Sequence, residues 1–392
     1  MRTKLQGNAM IAQAGGPTTV INSSLWGAFS ELISQLSPQS KVLGARRGIN
    51  GVLSDQYVDL RSPNAESWAQ IRRSPGAALG SCRKQLTADE AAQAVEHLRK
   101  LDVRYFFYIG GNDSMDTALK MSKAAAVLGF ELFVAGIPKT VDNDLPCTDH
   151  CPGFGSAARY FAQSTIDLGI DIRTLPTPVS ILEVMGRNAG WLAAATIVAR
   201  QSPDDAPHII CVPEVPLNCA QFLSDVDAAY RRYGWVVAAV SEGVRDEQGQ
   251  DWDQYGSEAA DDFGHAMPGG VAAALARLVT ARLKLRARYE KPGLCGRASA
   301  LLASEVDRQE AEAVARFAVL RAINGAGGFM AAIVREDAAS YAVHYDTVPL
   351  ENVANVERKL PTEFILKNDI AVSFRPYVEP LVGGPLQIHA SL

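Results

Sequence analysis

Positive charge, cysteine and long apolar runs are all scarce in this sequence, and each scarcity narrows what the protein can be. Lys and Arg number 38 against 43 Asp and Glu, a formal net charge of -5, so no basic surplus marks nucleic acid as a partner. The cations are spread along the chain rather than blocked, which argues against a membrane-surface role. No stretch of about 18 apolar residues occurs, so no spanning helix is expected. The opening MRTKLQGNAMIAQAGG lacks the long apolar core of a secretory signal. The six cysteines (Cys82, Cys147, Cys151, Cys211, Cys219 and Cys295) show no disulfide-framework spacing, and reduced thiols in a cytoplasm are the expectation. CTDHC gathers Cys147, His150 and Cys151, yet a structural zinc needs a fourth ligand, usually from a second short-spaced pair, and no such pair is visible. Also missing is a G-x-G-x-x-G fingerprint opening the first helix, which disfavours a nicotinamide-binding dehydrogenase.

What is present is an ordinary globular composition. Over 392 residues, 47% are hydrophobic and 21% charged, enough for a sizeable core and, by length, for two domains. Short apolar runs ending in glycines or acidic loops recur, followed by helix-like segments: NAMIAQAGG before TTVINSSLWGAFSELISQL, VRYFFYIGG before NDSMDTALKMSKAAAVLG, then FELFVAGIPK, PVSILEVMG, HIICVPEV and WVVAAVSEG. Continuous Val/Ile-rich runs are how buried parallel strands read, with helices as their return paths. The fold class is therefore α/β with mostly parallel sheets flanked by helices. Residues 245–264 are polar and aperiodic and read as an exposed excursion, whereas apolar residues continue through the tail beyond about 350, as in an ordered extension.

Ligands of open α/β sheets bind beyond the carboxyl ends of strands, which directs attention to five loops, Gly15–Thr19, Gly110–Ser114, Pro138–Asp144, Met185–Arg187 and Glu242–Gly243, and to the cations elsewhere. Gly15 and Gly16 precede Thr18 and Thr19; Gly110 and Gly111 precede Asn112, Asp113 and Ser114. Glycines there let backbone N–H groups approach a phosphate at a helix N-terminus, although the same pattern serves as a plain turn with Asn112, Asp113 or Ser114 as helix cap. Arg83 and Lys84 are adjacent, as on many solvated surfaces. Arg187 opens the loop after Met185 and Gly186, and Arg is the preferred fork for phosphate or carboxylate. Arg286, Arg288, Lys291 and Arg297 lie close in sequence, a candidate clamp for a second anion. The loop GIPKTVDND sets Lys139 and Thr140 beside Asp142 and Asp144. Two residues apart on extended backbone, the aspartates face one side; one can act as general base while the other fixes a metal or an orientation, or both can be turn carboxylates bonded to nearby N–H groups. Glycine cradles, dispersed cations and a carboxylate base are together the parts of a phosphoryl-transfer enzyme.

The ordered series GGPTTVIN, GSCRK, GGNDS, PKTVDND, GFGSAA, EVMGR and SEG resembles the phosphofructokinases, and most of all the branch that uses inorganic pyrophosphate. The match runs from about residue 8 to at least 297. The resemblance implies two domains with the active site in the cleft between them: residues 1–153 for the phosphoryl donor, completed by part of 295–350; residues 154–294 for the sugar phosphate; and 350–392 as an extension packed on the core. It implies Asp142 as the base for the sugar 1-hydroxyl, with Thr140 and Asp144 as companions in the substrate loop. Met185, Gly186 and Arg187 resemble the fructose 6-phosphate loop, Glu242 a sugar-hydroxyl partner, and Arg297 and Arg288 a 6-phosphate clamp. Gly16, Gly111 and Arg83 fall on the donor side. Magnesium is the implied cofactor, and a homodimer or homotetramer the implied assembly.

Donor choice is where the residues speak most clearly. ATP-using relatives usually have glycine at the position of Asp113 and a non-lysine at that of Lys139. A carboxylate at Asp113 fills and repels the space an α-phosphate needs, while Lys139 supplies charge stabilisation that pyrophosphate, lacking a nucleoside, would otherwise forgo. Three positions depart from the wider family. Asn112 replaces a magnesium-associated aspartate, Pro178 an arginine that many relatives send into a neighbouring subunit, and Leu294 a histidine near the 6-phosphate, so that Lys291 or the C-terminal extension is a candidate substitute. The rival readings are an ATP-dependent 6-phosphofructokinase, which Asp113 and Lys139 oppose, and a non-catalytic regulatory paralogue, which intact Asp142, Asp144 and Arg187 oppose.

Overall fold

The computed structural model describes residues 6–252 and 270–389. The six apolar runs singled out above all form strands. The first unit begins with β1 (Asn8–Gln13), α1 (Ile21–Gln35), β2 (Val42–Ala45), α2 (Ile49–Leu53), β3 (Tyr57–Asp59), α3 (Ala65–Arg73), α4 (Ala88–Lys100), β4 (Val103–Gly110), α5 (Asn112–Val127) and β5 (Phe133–Pro138). The chain then builds α6 (Phe154–Ile172), β6 (Val179–Val184), α7 (Trp191–Ala195), β7 (Ile209–Cys211), α8 (Cys219–Tyr233), β8 (Val236–Ser241), α9 (Val271–Leu283), β9 (Ala287–Glu290) and α10 (Cys295–Ala298). It returns with α11 (Glu305–Ile323), β10 (Phe329–Arg335) and β11 (Val343–Pro349), and closes with β12 (Ile365–Leu366), β13 (Asp369–Ile370) and α12 (Arg375–Val382).

Two compact units result, one of residues 1–154 and 298–358, the other of residues 155–297 and 359–392. The first holds a seven-stranded sheet in the order β11-β10-β5-β4-β1-β2-β3. Its five inner strands are parallel and its edges, β3 and β11, antiparallel. β4 shows why the run VRYFFYIG is a strand: alternate side chains enter opposite layers, Phe106 and Tyr108 on one face, Tyr105, Phe107 and Ile109 on the other, as a strand covered by helices on both sides requires. Helix starts follow local chemistry. Thr87 and Glu90 form a capping box at α4 and Ser304 caps α11, each satisfying N–H groups that a first turn leaves unpaired. Helices α1 and α11 pack so closely that a Cβ on Gly27 would lie 2.3 Å from the Glu312 carbonyl oxygen, so only glycine fits there.

The second unit holds a parallel sheet in the order β7-β8-β6-β9 and a β12-β13 hairpin. The tail is tied into this unit by Arg200 to Asp369 at 2.9 Å and by Arg159, which donates to the carbonyls of Val382, Gly384 and Pro385. The polar stretch 245–264 is described as far as Trp252, and its remainder lies outside the described residues. No helix among the described residues is long and apolar enough to cross a membrane.

Candidate active site

Three loops of the first unit emerge side by side because β1, β4 and β5 are parallel neighbours with level ends, Gln13 opposite Ile109 and Gly110 opposite Pro138. Lys139 directly follows β5 and is 2% exposed. Its backbone N–H donates to the Gly110 carbonyl at 3.1 Å, and its Nζ donates to the Gly16 carbonyl at 2.7 Å. One buried residue therefore touches the turns after both β4 and β1, and its ammonium is 3.2 Å from where a Cβ on Gly15 would stand. An interior cation is tolerated only with such partners. The SCRK segment joins the same place: Gly15 N–H donates to the Cys82 carbonyl at 3.0 Å and Ser81 Oγ to the Gly15 carbonyl at 2.5 Å. Arg83 there is exposed, whereas Lys84 is held by Glu90 at 2.7 Å.

The cap expected at Asn112, Asp113 or Ser114 is not formed. Gly111 is the N-cap of α5, with no side-chain hydrogen bond, and Asn112 is already helical. The first turn consequently keeps backbone N–H groups that no side chain satisfies, the arrangement that receives anions. Asp113 is exposed and accepts from Gln85 Nε2 at 3.4 Å.

The loop after β5 departs from the extended geometry that would set Asp142 and Asp144 on one side. Asn143 between them has φ 55°, a left-handed conformation that asparagine tolerates better than most residues. It is held there by tertiary bonds, since its buried Oδ1 accepts the Cys151 N–H at 2.9 Å. Thr140 binds both aspartates: its Oγ1 accepts the Asp142 N–H at 3.1 Å and its hydroxyl bonds the Asp144 carboxylate. Burial pushes the Asp144 carboxyl up, against the opposing hydrogen bond from Thr140 and the nearby charge of Lys139. Asp142 is half-buried, so its carboxylate is sheltered yet reachable. Two buried oxygens, Asn112 Oδ1 and Asp144 Oδ1, have no hydrogen-bond partner.

CTDHC assembles no ligand trio. His150 turns Nδ1 to Asp149 at 2.8 Å and Nε2 to Glu310 at 2.6 Å, and burial drives the Cys151 thiol up to about 12. Among the described residues no group of three or more His, Cys, Asp or Glu is placed to hold a metal.

In the second unit, Met185–Arg187 leaves the carboxyl end of β6 and meets the end of β8. Ser241 Oγ donates to the Gly186 carbonyl at 2.5 Å, and Gly186 N–H to Glu242 Oε1 at 3.4 Å. A Cβ on Gly243 would fall 1.7 Å from the Arg187 carbonyl oxygen, so the SEG glycine is what lets the two strand-end loops touch. Arg187 and Glu242 are both exposed there. Arg297 is half-buried on α10. Arg288 is not brought to this loop: it pairs in register with Ser180, five residues before Met185, about 16 Å along a strand. With Arg286, Pro176, Thr177 and Thr280 it lines a separate pocket of about 490 Å³. Lys291 is no open clamp residue either, being ion-paired at 2.9 Å with Glu183, a buried carboxylate on β6.

A sequence model described as Phosphofructokinase matches residues 8–321. The chain belongs to the phosphofructokinase family. It is 42% identical to the pyrophosphate–fructose 6-phosphate 1-phosphotransferase of Xanthomonas campestris pv. campestris, with 96% of this chain and 92% of that protein covered. The crystal structure of a pyrophosphate-dependent phosphofructokinase from Marinobacter aquaeolei superposes with a TM-score of 0.87 at 38% identity, covering 96% of this chain and 92% of that one. A sulfofructose kinase of Alkalicoccus urumqiensis is 36% identical over 91% of each chain. The resemblance drawn from GGNDS, PKTVDND and EVMGR therefore holds over nearly the whole length.

Within this phosphofructokinase fold, two contributors escaped sequence reasoning. Val356 lends its carbonyl to Asn112 Nδ2 at 2.5 Å, fixing the amide whose oxygen is left over. Arg358 binds the loop that carries Asp142. Neither sits in a recognisable motif; their one sequence signal is a basic pair, Arg358–Lys359, ahead of the apolar tail.

Proposed function

We propose that this phosphofructokinase moves a phosphoryl group from inorganic pyrophosphate to the 1-hydroxyl of fructose 6-phosphate, giving fructose 1,6-bisphosphate and phosphate, reversibly and in the cytoplasm. The observation that carries the reading is the buried Lys139 ammonium set against the Gly16 carbonyl, in a first unit whose α5 N-terminus has no side-chain cap and bears an exposed Asp113. A cation and open N–H groups suit a compact dianionic donor, and the Asp113 carboxylate opposes the α-phosphate of a nucleotide.

Asp142 accepts the proton of the 1-hydroxyl as that oxygen attacks the nearer phosphorus. The bridging P–O bond breaks and the second phosphate leaves with the bridging oxygen. Lys139, Arg83 and the backbone N–H groups of Gly16 and Gly111 hold the charge that spreads over the transferred group. Thr140 and Asp144 orient the base loop, while Met185, Gly186, Arg187, Glu242 and Arg297 bind the sugar phosphate. The unpartnered oxygens of Asn112 and Asp144 are hard donors that fit magnesium, which is commonly held by one or two protein oxygens plus substrate phosphates. When bound, the ion neutralises phosphate charge. Arg288, with Arg286, stands away from Arg187 in its own chain, which suits a role in the sugar-phosphate site of a second copy within a homodimer or homotetramer.

Steady-state phosphorylation of fructose 6-phosphate with magnesium, comparing pyrophosphate with ATP in wild type and Asp142→Ala, tests the reading. Turnover with pyrophosphate alone, reduced by several orders of magnitude in the variant, supports both donor and base. Turnover with ATP alone overturns the roles of Asp113 and Lys139. Turnover with 6-deoxy-6-sulfofructose but not fructose 6-phosphate moves the substrate to that of the sulfofructose kinase relative.

A further inference from the structure

The chain crosses between the two units at three peptide bonds, the last of them between Arg358 and Lys359, and on each side of that bond it grips a substrate loop. Before the bond, Arg358 donates from Nε and Nη2 to the Asn143 carbonyl at 3.2 and 2.9 Å. Its Nη1 donates to the carbonyls of Thr148 and Asp149 at 2.7 and 2.6 Å, and its backbone N–H to the Asp144 carbonyl at 2.7 Å. After the bond, Lys359 Nζ donates to the Asn188 carbonyl. Leu360 N–H donates to Glu214 Oε1 at 2.9 Å, the same oxygen that receives the Gly190 N–H at 2.9 Å. Asn188 follows Arg187 directly, and Gly190 lies three residues beyond it.

We propose that Arg358 is a positioning residue for the Asp142 base loop, and that Lys359 and Leu360 do the same for the Arg187 loop, each within its own unit. The inference rests on the roles given above to Asp142 and Arg187. Loop carbonyls have no ladder partners and need donors from elsewhere. The guanidinium is the side chain whose donors point in a fixed planar fork, and three of its nitrogens are used here on three carbonyls of residues 143–149. The consequence falls on Asp142. Its C-terminal neighbour, Asn143, is held left-handed (φ 55°), and the Asn143 carbonyl takes two of the Arg358 bonds. Loosening it displaces the base without touching the donor cradle of Gly16 and Lys139.

Arg358→Lys keeps the positive charge and loses the fork, and Arg358→Ala loses both. A displacement of about 1 Å in a reacting group can lower the rate about a hundredfold. Both variants are therefore expected to lose 10- to 100-fold in kcat, with KM for pyrophosphate within about threefold of wild type and partial recovery of Arg358→Ala by millimolar guanidinium. Because Arg358 acts through the base, adding Arg358→Lys to Asp142→Asn should change kcat by less than about threefold, whereas independent effects multiply. Lys359→Ala should instead raise KM for fructose 6-phosphate several-fold with little change in kcat. Absence of wild-type turnover with pyrophosphate and fructose 6-phosphate would refute the reaction itself. The positioning role is overturned if wild type turns over and folded Arg358→Lys matches its kcat, if the losses of Arg358→Lys and Asp142→Asn multiply, or if neither Arg358 variant folds, which would make the residue a stabilising one.

Discussion

Replacing Lys139 by Met removes an ammonium while keeping an unbranched side chain of similar length in the same interior space. Two consequences can be separated. The Gly16 carbonyl loses its 2.7 Å donor, and a buried acceptor left unsatisfied costs about 1–3 kcal/mol of stability. In the role proposed for Lys139, the transferred phosphoryl group loses a cation. At an effective dielectric near 20, a unit charge about 4 Å away contributes about 4 kcal/mol, and deleting one preorganised donor from an oxyanion site typically costs about 100- to 1,000-fold in kcat. Both routes lead to a loss of two to three orders of magnitude. The assay is kcat for fructose 1,6-bisphosphate formation with saturating pyrophosphate, repeated in the reverse direction with phosphate, alongside a thermal melt. With Lys139 acting at the transferred phosphoryl, as proposed, the two directions should fall together. A Lys139→Met protein with a lowered Tm but kcat within threefold of wild type would refute the reasoning and leave Lys139 as a structural tie between two loops.

On the proposed role of its exposed carboxylate against an α-phosphate, Asp113→Gly should raise the ratio of ATP-dependent to pyrophosphate-dependent kcat/KM at least tenfold; an unchanged ratio, measured with both donors, counts against that role. His150 gives a pH signature. Burial works against its charge, but the hydrogen bonds and charges of Asp149 and Glu310 win and hold its pKa above the ordinary histidine value. With Tyr341 bonded to Glu310 and Arg335 to Asp149, the protonated ring completes the cluster. A folded pKa above the unfolded one means that this stability is fully present below about pH 6.5 and is lost as pH rises through the folded value; urea unfolding from pH 5.5 to 9 should show the decline, and His150→Gln should flatten it. Gly243→Ala should lower stability by a few kcal/mol and raise KM for fructose 6-phosphate more than tenfold, because the new methyl collides with the Arg187 carbonyl; wild-type melts and KM would show that the loops can part without cost.

The strands that sequence alone revealed are those whose neighbours on both faces are apolar. VRYFFYIG and VVAAVS read as strands because all but one of their positions (Arg104, half-buried) are buried. β11, VHYDTVP at an antiparallel edge with partial exposure along its length, gave no such run. The loops were legible as glycines, lysine and aspartates in order, but their conformations were not. Asn143 turns left-handed because of the Cys151 N–H and the Arg358 guanidinium, the latter 215 residues away, and no local pattern encodes a bond of that span. The same holds for Lys139, whose burial depends on a carbonyl 123 residues earlier. Arg288 was grouped with Arg297 by proximity in sequence, yet strand register carries it to the far end of the sheet.

The discontinuity of the first unit bears on how the chain is made. β5 ends at Pro138 and its partner β10 starts at Phe329, so about 190 residues leave the ribosome before that edge can be covered. At about 5–20 residues per second this lasts roughly 10–40 s, during which a strand of sequence FVAGIP presents open N–H and C=O groups to other nascent chains. The second unit, by contrast, has its four-stranded sheet ready once β9 has emerged. Synthesis therefore passes through a stage in which the four-stranded sheet is finished while the seven-stranded sheet still has an open edge, and it is that stage, rather than the finished protein, that offers an unpaired strand to neighbouring chains.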